Sequence, residues 1–403
     1  MPEINPKIMI WARETAGLTL EEASEKLGIK KARGLTPVDK LRLLESGDDE
    51  PSRAMLKKMA KKYRRPLVAF YLGDVPRKGD RGQDFRTLPD LYSQFENAWV
   101  DALVRDVKAR QSLLRAALED DDVETLTFVG SMKLADGVRD VARSIINEFD
   151  IDIAEYRKEK TSGAAFNYLR KKIEDHGVFI ILIGNLGSYH TKIDVELFRG
   201  FTISDEISPL IVLNDNDSKA AWSFTLLHEI THIFLGNTGL SGTYAEIGIE
   251  KFCNQVASSI LLPELDQKNI YIKANDDIDD LISSISSFAQ KNLVSSSMVA
   301  YKLYLLGEIP RSTWEHLRNA FREFWIESRE GIKTEHRKSI GPNYYTVKKH
   351  RLGSNLISLT QQMIISGDLS TRKASLILGL APKNVHKLFD SSINLPSKSR
   401  GTS

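Results

Sequence analysis

The stretch Phe224-Thr-Leu-Leu-His-Glu-Ile-Thr-His-Ile-Phe-Leu-Gly236 constrains the fold more than any other in the chain. Phe224, Leu226, Leu227, Ile230, Ile233, Phe234 and Leu235 leave almost no polar face, so a helix here must be packed on all sides. Two histidines and a glutamate are costly in such a helix unless something compensates them. At 3.6 residues per turn, His228 and His232 lie on one face, where both imidazoles reach a single Zn2+. Glu229 sits beside that face. A carboxylate there can take a proton from water on the metal and pass it to a leaving amine. The H-E-x-x-H spacing makes a zinc-dependent peptidase the first expectation.

A zinc hydrolase needs three protein ligands and one open position. After His232 comes a Gly-rich connector, Gly236-Asn-Thr-Gly-Leu-Ser-Gly242, and then a second helical pattern from Ile249 that is closed by Pro263. Glu250, Asn254, Ala257 and Leu261 share one face of it. Glu250 is the expected third ligand, and Asn254, one turn on, is the expected partner that orients a ligand or the helix. Glu246, one turn earlier, is the alternative third ligand.

Taken in order, Phe198-Arg-Gly-Phe-Thr202, Pro209-Leu-Ile-Val-Leu-Asn214, Phe224-Thr-Leu-Leu-His-Glu229, Glu250-Lys-Phe-Cys-Asn254 and Leu261-Leu-Pro263 resemble the ImmA/IrrE family of bacterial metallopeptidases. The resemblance implies a compact, gluzincin-like fold with Zn2+ held by His228, His232 and Glu250, and Glu229 as general base. Cys253 stands where that family usually has alanine, a small apolar exchange that leaves the ligand set intact.

Composition fits an intracellular bacterial protein. The 403 residues are 41% hydrophobic and 27% charged, which suits a globular chain of two or three domains. A single cysteine, Cys253, excludes an intramolecular disulfide framework. The first residues carry no basic-then-apolar signal, and no run approaches a membrane span, so a cytoplasmic protein without membrane contact is expected. The net charge of +2 hides an asymmetry: residues 1–78 carry 17 bases and 11 acids, and residues 329–403 carry 13 bases and 4 acids. The acidic middle is thus flanked by basic ends, a polarity that suggests nucleic-acid contact at the ends or contact between the ends and the middle.

At the N-terminus, Met9–Gly17 reads as a helix with a glycine stop, and Thr19-Leu-Glu-Glu22 as a capping box opening a helix that Gly28 ends. A third helix starts at Thr36-Pro37 and ends near Gly47. A fourth follows Pro51 and carries Arg53, Lys57, Lys58, Lys61, Lys62, Arg64 and Arg65 without an acid. Residues 9–72 resemble the phage-repressor-like (Xre-type) helix-turn-helix fold, including Leu44-Glu-Ser-Gly47 and Arg65-Pro66 to Phe70. The resemblance implies that the helix near Thr36–Leu44 enters the major groove, with Lys31, Arg33, Lys40 and Arg42 as candidate DNA contacts. The turn from Ile29 to Thr36 is longer than that fold usually has.

A polar linker is expected at Arg77–Gly82, followed by an amphipathic helical stretch from Asp84 to about Arg115, with Phe85, Trp99, Leu103 and Leu113 as core residues. Gly177–Ile183, Leu197–Ile203 and Leu210–Leu213 read as strands of a small sheet. In zincins an edge strand holds the substrate peptide, which makes residues near 200–213 candidate substrate contacts. Tyr244 and Tyr301 are candidate oxyanion donors. The last third is helical, broken at Gly341–Tyr345. Leu369–Leu388 there has the rhythm of either a second helix-turn-helix or a two-helix clamp on the peptidase.

The expected fold class is α+β, predominantly helical. Four segments are expected: a helix-turn-helix domain (1–76), a linker and packing helix (77–125), a zincin-like peptidase domain (126–310) and a helical C-terminal region (311–403). The expected activity is cleavage of a specific regulatory protein, a transcription repressor by the family resemblance, coupled to DNA binding through the N-terminal domain. Stress response, mobile-element control, a toxin–antitoxin locus or phage defence would be the context. The alternative is a DNA-binding regulator or antitoxin whose zincin domain serves as a protein-interaction module. The chain is compatible with a homodimer.

Overall fold

The computed structural model describes residues 4–31, 34–76, 94–240, 247–263, 277–336 and 343–390. Among these the fold is predominantly helical α+β with one small sheet. The helices are α1 (Pro6–Glu14), α2 (Leu20–Leu27), α3 (Pro37–Ser46), α4 (Arg53–Lys62), α5 (Gln94–Asp120), α6 (Gly137–Glu148), α7 (Ile153–Lys158), α8 (Ser162–Glu174), α9 (Lys219–Phe234), α10 (Ile247–Leu261), α11 (Ile278–Lys291), α12 (Ser296–Leu305), α13 (Arg311–His336), α14 (Tyr344–Leu352), α15 (Ser354–Ser366), α16 (Thr371–Ile377) and α17 (Val385–Asp390). The strands are β1 (Phe179–Leu182), β2 (Gly200–Ile203), β3 (Leu210–Leu213) and β4 (Gly239–Leu240). The chain divides into two compact units, one of residues 1–107 with 185–197, the other of residues 108–184 with 198–403. No helix among the described residues is long and apolar enough to cross a membrane.

The first unit is built on caps that its sequence advertises. Asn5 caps α1, and Thr19 with Glu22, then Thr36 with Asp39, form capping boxes on α2 and α3, each satisfying otherwise orphaned backbone donors. Gly28 and Gly47 take the left-handed conformation that ends α2 and α3. The core gathers Ile8, Met9, Leu27, Leu41, Leu56 and Tyr63. Within it Arg13 makes a bidentate ion pair with Glu45, Nε to Oε1 at 2.8 Å and Nη2 to Oε2 at 3.0 Å, and also donates to the Leu18 carbonyl. The Leu44-Glu-Ser-Gly47 run therefore has a structural reason: a core leucine, a buried partner for Arg13, and a glycine cap.

The second unit wraps helices around the sheet, whose strand order is β1-β3-β2-β4. β1 and β3 are parallel, while β2 is antiparallel to both β3 and β4. β1, β2 and β3 are buried at every position, which explains why they read as continuous apolar runs rather than alternating ones. One expectation is corrected here. β3 is interior, and β4, hidden in the sequence inside a Gly-rich connector, pairs with Phe201 and Thr202 of β2. Among the described residues the outer strands are β1 and β4, so β3 offers no edge for strand addition and β2 is covered at Phe201 and Thr202.

The C-terminal helices join this unit through a buried polar contact. On α8, Arg170 Nε donates to Glu174 Oε1 at 2.8 Å, with both side chains almost fully buried. Arg170 also donates to the carbonyls of Ile180, His350 and Arg351. Burial pulls the Arg170 pKa below its ordinary value against the opposing pull of Glu174. Ser354 Oγ donates to Glu174 Oε2 at 3.2 Å, and Asn355 Nδ2 donates to the Glu174 carbonyl at 2.7 Å. Between α14 and α15, Gly353 sits at φ +81, and a Cβ there would overlap both Glu174 Oε1 and Arg170 Nη2.

Candidate metal centre

The H-E-x-x-H stretch lies in α9, and from Ala221 to Phe234 all but Phe224 are buried. Its C-terminal carbonyls are satisfied by neighbouring backbone: Gly130 N–H donates to Ile233 O and Met132 N–H to Phe234 O, both at 2.9 Å. Gly130 and Gly236 both have positive φ and approach so closely that a Cβ on Gly236 would stand 3.2 Å from the Gly130 Cα. The helix that carries the histidines is thus fixed at its end as well as along its sides.

α10 packs against α9 and brings the third donor. His228 Nε2 and His232 Nε2 are 3.2 Å apart, His228 Nε2 is 3.2 Å from Glu250 Oε2, and His232 Nε2 is 3.2 Å from Glu250 Oε1. One tetrahedral ion with ligand bonds of about 2.0–2.1 Å separates its donors by roughly 3.3–3.4 Å. The observed spacing fits that geometry. Glu250 Oε1 is also buried without a hydrogen bond of good geometry among the described residues, an orphan that a cation would satisfy. These three side chains are the one cluster of metal-binding type among the described residues.

Asn254 lies where the sequence places it. Its Oδ1 is 2.9 Å from His228 Nδ1, and since an amide oxygen only accepts, Nδ1 carries the hydrogen and Nε2 presents its lone pair to the cluster. Tyr301, on α12, hydrogen-bonds to Asn254, so the phenol reaches the cluster through the amide and His228. Burial raises the Tyr301 pKa, with Tyr304 adding to the rise and the Asn254 contact opposing it. We expect Asn254→Ala to weaken metal affinity by about 10–100-fold. Competition against a chromophoric chelator measures this, and unchanged affinity would show that the amide orients nothing.

Glu229 is fully buried beneath β2. Thr202 Oγ1 donates to Glu229 Oε2 at 2.8 Å, and Gly200 leaves the room the carboxylate occupies. Both residues fall in the 200–213 stretch expected to contact substrate, and nothing in the sequence ties either of them to Glu229. The signal available was weak: a glycine and a hydroxyl two apart in a strand, on the same face. Glu246 and Tyr244 lie outside the described residues.

Three of the four candidate DNA contacts lie among the described residues. Lys31 is exposed, Lys40 half-buried on α3, and Arg42 exposed but 3.4 Å from Asp39 in an ion pair; Arg33 lies outside the described residues. Asp39 is held below its ordinary carboxylate pKa chiefly by hydrogen bonds from Thr36, so it remains charged beside Arg42.

Residues 174–304 match the family model described as the IrrE N-terminal-like domain, Peptidase_M78. The matched segment holds His228, Glu229, His232, Glu250, Asn254 and Tyr301, and supports a metallopeptidase-type domain there. No curated protein and no solved structure matches the chain.

Proposed function

We propose that the chain is a zinc-dependent endopeptidase that cleaves a specific regulatory protein, a transcription repressor being the favoured class. The observation that carries this reading is the convergence of His228, His232 and Glu250 at mutual spacings of 3.2 Å, with the Glu229 carboxylate at the adjoining helix position. His228, His232 and Glu250 would hold zinc, which when bound supplies Lewis acidity toward a peptide carbonyl and water. Glu229 would accept a proton from the attacking water and return it to the leaving amine. Asn254 keeps His228 in the tautomer that leaves Nε2 as the donor. A purely structural metal site has no need of the second carboxylate, which favours catalysis over an interaction module.

New protein N-termini in cells expressing the wild-type chain or Glu229→Gln test the reading. A terminus seen only with wild type supports it and names the substrate. Identical profiles, under stress and without it, with zinc present in both proteins, would favour the module reading instead.

We further propose that the first unit couples proteolysis to DNA, in mobile-element control, stress response, a toxin–antitoxin locus or phage defence. Its capped helices and the exposed Lys57, Lys58, Lys61 and Lys62 on the acid-free α4 support this. Replacing Lys31, Arg33 and Lys40 with alanine should weaken binding to the upstream DNA of its own operon and lower the slope of log K against log salt by about 0.9 per lost phosphate contact. An unchanged slope would remove these residues from the interface.

A further inference from the structure

β2 crosses α9 with Gly200 and Thr202 on the same face, since residues two apart in a strand point the same way. At Gly200 an added Cβ would stand 2.7 Å from Glu229 Oε1, 3.1 Å from Glu229 Cγ and 2.9 Å from Thr225 Cγ2. At Thr202, which is fully buried, Oγ1 lies 2.8 Å from Glu229 Oε2 and 3.2 Å from the Glu229 carbonyl. Valine has the same shape and strand preference, and its burial carries no desolvation cost for a hydroxyl. A threonine here is favourable because its one proton meets an oxygen of the Glu229 carboxyl group in a fully buried site.

We propose that Thr202 is a positioning residue for Glu229: its hydroxyl fixes the rotation of the carboxylate by holding one oxygen, and the missing side chain of Gly200 provides the volume in which the carboxylate stands. The role rests on the peptidase reading. Strand β2 is itself fixed on both sides, Thr202 facing Ile211 of β3 and Gly239 of β4, so the donor is held by the sheet and not by its own rotamer alone. Thr202 makes its side-chain hydrogen bonds to Glu229 and none to His228, His232 or Glu250, and so acts through Glu229.

The test uses the full chain loaded with cobalt(II) and titrated with acetohydroxamic acid, followed by visible absorption. A hydroxamate gives up its proton to a base beside the metal as it binds. Glu229→Ala should lose that binding. Thr202→Val should weaken it about tenfold with cobalt content unchanged, and Thr202→Ser should restore it. Gly200→Ala, with the hydroxyl intact, should weaken it as well, by pushing the carboxylate aside. A second readout needs no metal: in urea, Thr202→Val should lower the unfolding midpoint of the wild-type chain more than that of Glu229→Ala, where only the contact to the backbone carbonyl remains. Equal hydroxamate affinity in the wild type, Thr202→Val and Thr202→Ser, with Glu229→Ala still impaired, overturns the positioning role and leaves the peptidase reading standing. Binding indifferent to Glu229→Ala overturns the peptidase reading, and the role of Thr202 with it, even where the urea coupling shows that the two side chains touch.

Discussion

Glu174→Gln is expected to destabilise the second unit by about 3–5 kcal/mol, because it leaves the Arg170 guanidinium buried without its countercharge. Domains are stable by about 5–15 kcal/mol, so the loss is a large part of the total. The damage should spread beyond α8. The Glu174 carboxylate also accepts from Ser354 Oγ and the Asn355 N–H, and Arg170 binds the last carbonyls of α14. Hydrogen exchange should therefore rise in α14 and α15. Gly353→Ala should act on the same contact from the other side, since its Cβ would overlap the ion pair and its φ of +81 is one that L side chains rarely adopt. Replacing both charges together, Arg170→Met with Glu174→Leu, should cost less than Glu174→Gln alone, as expected where an uncompensated buried charge is the main penalty. A double variant as damaged as the sum of its singles would contradict this account.

Glu229→Gln should lower the cleavage rate by at least about 10²–10⁴-fold, the usual contribution of a positioned proton acceptor. The amide keeps the size of the side chain and still accepts from Thr202, so folding and metal content should change little. That combination separates loss of chemistry from loss of the site. His232→Ala, in contrast, should remove metal and activity together. Single-turnover cleavage of a substrate found by its new N-terminus, with metal content measured on the same samples, distinguishes the two. Comparable rates in wild type and Glu229→Gln would require a different base.

What was legible in the sequence is what local geometry determines. His228, His232 and Glu229 follow from helix periodicity, and Glu250 and Asn254 from a second helix with one polar face in an otherwise apolar pattern. The capping boxes at Thr19 and Thr36 are equally local, and both form. What was not legible depends on contacts between distant segments. Arg170 and Glu174 sit next to Lys171 and Lys172, and nothing nearby in the sequence announces that Gly353, Ser354 and Asn355 will cover them. Thr202 has no visible reason until β2 is laid across α9. β4 is two residues long, too short for a periodic signal, and its pairing with β2 moves the sheet edge away from the strands that seemed to offer it.

The central claim is that His228, His232 and Glu250 hold a metal ion for chemistry at Glu229. Its most direct test is the metal content of the purified full chain after equilibration with zinc and removal of the excess, compared with His232→Ala and Glu250→Ala. The account predicts about one zinc per wild-type chain, retained in Glu229→Gln and lost in both ligand variants. A wild-type chain that retains no zinc, or ligand variants that retain as much as the wild type, would contradict it.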